Sequence, residues 1–356
     1  MGGFAGASAP WYNTSGLSIG GSMTRRFLAA LIFLVAIGAP VYPQSAGNQG
    51  LTSFSVSVNL IKVPLSVFDE DGNMVQSLRR EDFRLYENGV PQQIRSFGLD
   101  RNPVSVVLVV DTSGTVEKEL KKIKEAAESL AFALSPEDRI SIVSFSDDVQ
   151  VDLDWTDNKK LVRKALRKVE PGLRTALYDA MFVAANDQLK AIEGRKAIIL
   201  LTDCLNNQSS VGFRDASLAV IQSQASLYVV AKTAIVREEA RRQRRVVMLS
   251  DIYKKMFGND NYIDEFFSKR EAEMTDVAEK TGGRAFFPLD YDHIKDVYSD
   301  VARELKSKYY LTYVSNQAKQ PNSYHRISLE YLPPFSKLIY RQGYYYEPSP
   351  IHKRRH

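Results

Sequence analysis

From residue 103 onward, the chain alternates between continuous apolar runs and segments whose apolar residues have helical spacing. The run VSVVLVV at 104–110 is uniformly apolar, which is typical of a parallel strand buried on both faces. The next segment, 117–134, repeats its apolar residues at steps of three and four, which predicts one apolar stripe along a helix. Continued to residue 307, this alternation predicts an α/β fold with a doubly wound, mostly parallel sheet.

The remaining elements of this region follow the same rhythm. Strands are predicted at RISIVSF (139–145), at KAIILLTD (196–203) and at 227–231. Helices are predicted at 157–168, 175–192, 212–224, 270–281 and 290–307. We assign residues 103–307 to one α/β domain on this basis.

The segments on either side of this domain have strand-like patterns. Residues 51–100 contain apolar arms around DEDGN and around ENG, which predicts two hairpins. DEDGN also resembles the start of a calcium loop, but its twelfth position is Arg80 instead of glutamate, so we favour a turn. Residues 309–347 contain the aromatic-rich strands YYLTYV, HRISLEYL and KLIYRQGYYY. Because the ends of a domain are often close, we expect 51–100 and 309–347 to pair in a flanking β-sandwich.

The beginning of the chain has the order of a secretory signal. The segment MTRRFLAALIFLVAI at 23–37 places two arginines before an apolar run that is short for a membrane span. We interpret residues 1–46 as an over-long start plus a signal peptide, with Met23 as the true start. A retained anchor, which would add a membrane contact, is the alternative. Both interpretations place the protein in the periplasm, in the cell envelope or outside the cell.

The positive charge of the chain lies near its two ends. The net charge is +5, and all of it comes from five residues, two in the signal region and three in the basic tail 348–356: Arg25, Arg26, Lys353, Arg354 and Arg355. A neutral central region argues against a nucleic-acid partner. The single cysteine excludes an intrachain disulfide and a cysteine-based zinc site.

The end of the first buried strand carries the strongest candidate chemistry. In VVLVVDTSGT the apolar run ends in Asp111, and Ser113 and Thr115 follow on alternate residues. Open α/β sheets bind ligands at the carboxyl ends of their strands, and carboxylate and hydroxyl oxygens suit a hard divalent cation. An acid protease would have glycine in place of Ser113 and a second Asp-Thr-Gly loop, so we disfavour that class.

Two further segments add oxygen atoms at strand or helix ends. LRTALYDA places Thr175 at a helix start, and AIILLTDC places Asp203 after a buried strand. Each motif alone is typical of a cap or a turn. Together, DTSGT…T…TD resembles the von Willebrand factor type A domains that have an intact metal-ion-dependent adhesion site. The resemblance covers about 103–307, and the flanking strands resemble an exported bacterial subfamily common in acidobacteria.

The resemblance implies a metal centre and a role for each ligand. Ser113 and Thr115 would bind the cation directly, and three more residues would bind it directly or through water: Asp111, Thr175 and Asp203. The implied cofactor is Mg²⁺, with Mn²⁺ or Ca²⁺ as alternatives, and the implied partner is a protein that presents an acidic residue. The glycine that often follows the last aspartate in the family is Cys204 here.

We therefore expect an exported, metal-dependent protein-binding (adhesion) module. We expect no enzyme and no small-molecule substrate, because the sequence shows no nucleophile–base pair, no GxxxxGK loop and no GxGxxG after a strand. A structural envelope protein with a vestigial metal site is the main alternative. A hydrolase that uses the cation is a third hypothesis.

A long connection adds one further expectation. Residues 232–269 leave the carboxyl end of a strand, so we expect them on the metal face of the domain. Five arginines in this insertion would attract an acidic partner: Arg237, Arg241, Arg242, Arg244 and Arg245. A solvated helix is the alternative interpretation of the insertion.

Overall fold

The computed structural model describes residues 60–114, 117–242, 262–317, 320–335 and 337–346. The strands are β1 (Leu60–Phe68), β2 (Phe83–Glu87), β3 (Val90–Gln92), β4 (Ile94–Leu99), β5 (Val104–Asp111), β6 (Arg139–Phe145), β7 (Val149–Thr156), β8 (Arg195–Thr202), β9 (Ser226–Ala231), β10 (Arg284–Phe286), β11 (Tyr309–Val314), β12 (Tyr324–Tyr331), β13 (Lys337–Tyr340) and β14 (Gly343–Tyr345). The helices are α1 (Glu117–Ala133), α2 (Lys159–Lys168), α3 (Leu177–Phe182), α4 (Phe213–Gln222), α5 (Thr233–Arg242), α6 (Tyr262–Lys280) and α7 (His293–Ser307).

The central sheet has six strands in the order β10-β9-β8-β5-β6-β7. Its strands pair in parallel except β7, which is an antiparallel edge strand. Alternate residues of β5 enter two separate cores: Val106 and Leu108 pack with α1, α2 and α7, whereas Val107 and Val109 pack with α3, α4 and α6. Burial on both faces explains why the sequence of β5 is uniformly apolar. The predicted doubly wound sheet is confirmed.

The elements that the pattern missed lie mainly at the edges of this sheet. β7 has no uniformly apolar run, and β10 is only three residues long. The helix expected at 270–281 begins earlier, at Tyr262. The helix expected at 175–192 divides into α3 and a π-helical segment, Val183–Gln188.

Two four-stranded antiparallel sheets flank the α/β domain, in the orders β13-β1-β11-β4 and β14-β12-β2-β3. β11 lies between β1 and β4, and β12 pairs with β2. Strands from before and after the α/β domain therefore share both sheets, as we hypothesised for the two β segments. Their facing sides form one core, which includes Leu65, Phe83, Leu311 and Ile327.

One of the two predicted hairpins is formed. β2 and β3 pair around Asn88 and Gly89, whose φ angles of 50° and 80° suit a tight hairpin turn. The hairpin predicted around DEDGN is formed only at its turn: Met74 forms one antiparallel bridge with Phe68, and the Val75 N–H donates to the Val67 carbonyl at 2.9 Å, but residues 75–79 form no strand. The neighbours of β1 are β11 and β13 instead.

The last predicted strand, KLIYRQGYYY, is also corrected. It forms β13 and β14, which belong to different sheets. The chain leaves the first sheet at Arg341, which forms a bridge to Thr281, and the backbone N–H of Gln342 donates to the Lys280 carbonyl. Contacts to the end of α6 therefore divide what the pattern predicted as one strand.

Across the part of the chain that the structure describes, no helix is long and apolar enough to cross a membrane. The signal-like segment 23–37 and the basic tail lie outside the described residues.

Candidate functional site

The strand register brings three charged residues to one edge of the central sheet. Val110 is paired with Leu201, which places Asp111 level with Thr202 at the carboxyl ends of β5 and β8. Thr202 is paired with Ala231, so Asp203 and Lys232 follow side by side. All three charged side chains are buried in the described structure. Two carboxylates and one ammonium group therefore meet where an open α/β sheet binds its ligands.

Asp111 is held by the loop that follows its own strand. The Ser113 backbone N–H donates to Asp111 Oδ1 at 2.9 Å, and the Ser113 hydroxyl donates to the same oxygen at 2.5 Å. The Thr175 hydroxyl donates to Ser113 Oγ at 2.9 Å. These bonds align three oxygen-bearing side chains and fix Asp111 Oδ1.

Asp203 lies on the other side of Asp111. Its backbone N–H donates to Asp111 Oδ2 at 3.3 Å, and its Oδ1 accepts from the Leu205 N–H at 2.9 Å. Burial, and then the neighbouring charge of Asp111, raise the pKa of Asp203 from 3.8 to about 6, against an opposing effect of Lys232. Burial is the larger cause of the raised pKa, and the second cause is that the two carboxylates lie close together.

Four of the five predicted ligands therefore lie together: Asp111, Ser113, Thr175 and Asp203. Thr115 lies outside the described residues. Two carboxylates and two hydroxyls form the oxygen-rich set that a hard divalent cation prefers. The described residues contain no group of three or more His, Cys, Asp or Glu side chains placed to hold a metal ion, so hydroxyls must complete any such site.

Lys232 is the site residue that the sequence pattern did not reveal. Its Nζ lies 3.7 Å from Asp111 Oδ2, and its side chain is 3% exposed. Its backbone N–H donates to the Thr202 carbonyl at 2.8 Å, and its carbonyl accepts from Val236 in the first turn of α5. The only sequence signal for Lys232 was its position directly after β9. Asp111 and Asp203 occupy similar positions, at the end of β5 and directly after β8.

The loop after β8 positions Thr175. Asn207 Oδ1 accepts from the Thr175 N–H at 2.9 Å, and the Thr175 carbonyl accepts from the N–H groups of Asn207 and Gln208. Ser209 Oγ accepts from the first N–H groups of α3, at Tyr178 and Asp179. One loop therefore places Asp203 at its start and holds Thr175 through its middle.

Gly172 lies in the loop between α2 and α3, which also carries Thr175. It forms a parallel bridge with Ser113, and its carbonyl accepts from the Gly114 N–H at 2.9 Å. A Cβ atom at Gly172 would lie 2.2 Å from Ser146 Oγ. The loop that carries Thr175 can approach Ser146, in the loop after β6, this closely because position 172 has no side chain.

Cys204 keeps the backbone shape that a glycine would give. Its φ angle is +62°, in the left-handed region, and its side chain is fully buried. The Cys204 N–H donates to Thr202 Oγ1 at 2.9 Å. The departure from the family's pattern at Cys204 therefore leaves a turn of the left-handed type after Asp203.

Of the five arginines in the insertion, Arg237 is the one whose side chain the structure describes, and it pairs within the chain. Arg237 on α5 forms ion pairs with Asp264, at 3.6 Å, and with Glu271, and its guanidinium lies over the Phe267 ring. These partners belong to α6, so Arg237 joins two helices of the same chain. The side chains of Arg241 and Arg242, and the whole of Arg244 and Arg245, lie outside the described residues.

Residues 106–206 match the sequence model of the von Willebrand factor type A domain. This range includes Asp111, Ser113, Thr175 and Asp203, whereas Lys232 and the β-sandwich strands lie beyond it. The chain therefore contains a domain of this type. A comparison with curated proteins finds no match to this sequence.

Several solved structures are similar at low sequence identity. The conserved hypothetical protein BatB from Bacteroides thetaiotaomicron is 24% identical over 36% of this chain and 66% of its own, with a TM-score of 0.32. An aerotolerance-related membrane protein from Bacteroides fragilis is 16% identical over 56% and 99%, with a TM-score of 0.40. Proximal thread matrix protein 1 from the mussel byssus, with a zinc-occupied MIDAS motif, is 15% identical over 61% and 48%, with a TM-score of 0.41.

Proposed function

We propose that this protein is an exported protein-binding module whose capture of an acidic partner depends on a divalent cation, most naturally Mg²⁺. One observation carries the proposal: the oxygens of Asp111, Ser113 and Thr175 adjoin one another at 2.5–2.9 Å beside Asp203, and the two carboxylates share one buried ammonium group. A divalent cation would compensate this excess of negative charge with ligands of its preferred type.

Each residue has a distinct part in this function. Asp111 and Asp203 supply the negative charge, and the bonds from Ser113 and Leu205 hold their orientation before any ligand arrives. Ser113 and Thr175 supply neutral oxygens, so the site keeps a positive charge towards its partner. When bound, the cation would offer its remaining coordination position to a carboxylate of the partner.

Export is part of the same proposal. Its support is the arginine pair followed by a short apolar run at 23–37. We place the mature protein in the periplasm, in the cell envelope or outside the cell.

The experiment is partner capture on immobilised protein. Wild type and Ser113→Ala are incubated with envelope extract in Mg²⁺ or in EDTA, and bound proteins are quantified by mass spectrometry. Ser113→Ala is preferable to Asp111→Ala, because it removes one oxygen ligand and leaves both carboxylates and Lys232 in place. We expect one or more proteins to bind only to wild type in Mg²⁺. An identical set of bound proteins in all four conditions would contradict the proposal.

A structural envelope protein with a vestigial site is the second candidate. The observation that favours it is Lys232, a cation of the chain itself that already lies beside Asp111. This candidate predicts that neither EDTA nor Asp111→Ala changes partner binding. Metal-dependent hydrolysis that is lost in Asp203→Asn would instead support an enzyme.

A further inference from the structure

The ammonium group of Lys232 is held at the site from a rigid position. The residue joins the end of β9 to the start of α5, and its backbone is bonded to both β8 and α5. The first turn of α5 is itself fastened, because the Thr233 hydroxyl donates to Glu271 on α6. The backbone of Lys232 is therefore fixed. Its ammonium group can change position only through rotation of the lysine side chain.

The two oxygens of Asp111 are held differently. Oδ1 accepts two hydrogen bonds from Ser113, at 2.5 and 2.9 Å. Oδ2 has longer contacts, at 3.3 Å to the Asp203 N–H and at 3.7 Å to Lys232 Nζ. Lys232 Nζ therefore lies at an ion-pair distance from the less firmly held oxygen of Asp111.

We propose that Lys232 is a tethered counter-cation that competes with the divalent cation for Asp111 and so lowers the metal affinity of the site. Two carboxylates with one ammonium leave a net charge of −1, whereas the same carboxylates without it would carry −2. A lysine is suited to this role because its ammonium is a point charge on a flexible stem that can move without breaking a fork of paired bonds. The inference rests on the proposed metal function of the site.

The competition also has a consequence for the partner. With Lys232 present, a divalent cation brings the group to a net charge of +1, whereas without the lysine the sum would be zero. The lysine therefore makes the loaded site more attractive to a carboxylate while it makes the metal alone bind less tightly. This arrangement would link metal binding to the arrival of an acidic partner.

The test is a calorimetric titration of Mn²⁺ into the purified protein and its Lys232→Met variant, with thermal melts of both in EDTA. Lys232→Gln serves as a second variant if the methionine variant does not fold. Lys62→Met is the matched control, because Lys62 pairs with another buried aspartate, Asp100, at 2.6 Å and does not contact the site. The melts in EDTA measure how much Lys232 contributes to stability when no metal is bound.

We expect Lys232→Met to bind Mn²⁺ about tenfold or more tightly than wild type and to melt at a lower temperature in EDTA. Lys62→Met should keep the wild-type affinity. Binding by the Lys232 variants only would support the competition and contradict metal use by the wild type. Equal affinity in wild type and both Lys232 variants would overturn the competition and leave the metal function standing. Absence of binding in every protein would overturn both.

Discussion

Buried acids occur at both edges of the central sheet, but their charges are compensated differently. At the amino edge, Asp100 pairs with Lys62 and Arg195, and Glu304 pairs with Arg284 and Lys308. At the carboxyl edge, Asp111 and Asp203 lie beside a single lysine, Lys232. Among the described residues, Asp100 and Glu304 each have two cationic partners, whereas Asp111 and Asp203 lie beside one.

On our proposal, this difference separates a structural cluster from a functional one. A buried charge is costly unless it is paired, so a cluster that serves only stability should be fully compensated. Asp100 and Glu304 meet this condition, and the Tyr228 hydroxyl also donates to Glu304 at 3.0 Å. At the carboxyl edge, two carboxylates lie beside one lysine. An excess of buried negative charge of this kind is typical of ligand-binding sites.

The largest effect should come from breaking the amino-edge cluster. Glu304→Ala would leave Arg284 and Lys308 without their shared carboxylate, and we expect a loss of about 3–5 kcal/mol in the free energy of unfolding. Urea unfolding measures it. Glu279→Ala, which removes an exposed pair with Lys337, is the control and should cost less than about 1 kcal/mol. Similar losses in the two variants would show that the buried cluster has no special structural weight.

At the carboxyl edge, removal of a charged carboxylate should increase the free energy of unfolding instead of lowering it. The folded protein raises the pKa of Asp203 from 3.8 to about 6, so folding binds a proton in this window. Wild-type stability contributed by this proton is present below about pH 4 and is lost as pH rises through about 6. Asn cannot ionise and can still accept from Leu205 N–H, so Asp203→Asn should avoid the loss.

We therefore expect metal-free Asp203→Asn to exceed wild type at pH 7 by an amount on the order of 3 kcal/mol, and to approach wild type near pH 4. Urea unfolding in EDTA at the two pH values measures the difference. A variant that is less stable than wild type at pH 7 would mean that Lys232 already compensates both carboxylates.

A smaller effect should follow from adding the metal. Mg²⁺ or Mn²⁺ at about one hundred times its dissociation constant stabilises a folded protein by about 2.7 kcal/mol, which raises the melting temperature by several degrees. EDTA should remove this shift. Thr175→Ser keeps the oxygen and should keep the shift, whereas Thr175→Val should reduce it. If the serine and valine variants behave alike, the Thr175 hydroxyl has no role in metal binding.

The strands that could be predicted from sequence are those that are buried on both faces. β5, β6 and β8 were found because both of their faces are covered, which makes their sequences mostly apolar. β7 was missed because an edge strand exposes part of its surface and has no such run. The partner of β1 is more than two hundred residues away, so a local turn signal at DEDGN could not identify it.

The same limit applies to the site. Asp111, Ser113, Thr175 and Asp203 could be predicted because oxygen-bearing residues follow strands or begin a helix in a recognisable order. Lys232 could not, since a lysine after an apolar strand normally marks a solvated end. Its burial depends on neighbouring elements that the sequence of β9 does not contain. The sequence also could not show that Arg237 pairs within the chain, because its acidic partners lie on α6.

Direct titration of Mn²⁺ by calorimetry tests whether the carboxyl edge, with two carboxylates beside one lysine, binds a divalent cation. Wild type is compared with Ser113→Ala, which loses one oxygen ligand and keeps every charge of the site. The account predicts one binding site per chain in wild type, with an affinity at least about tenfold weaker in the variant. No binding by wild type, or equal binding by both proteins, would contradict it.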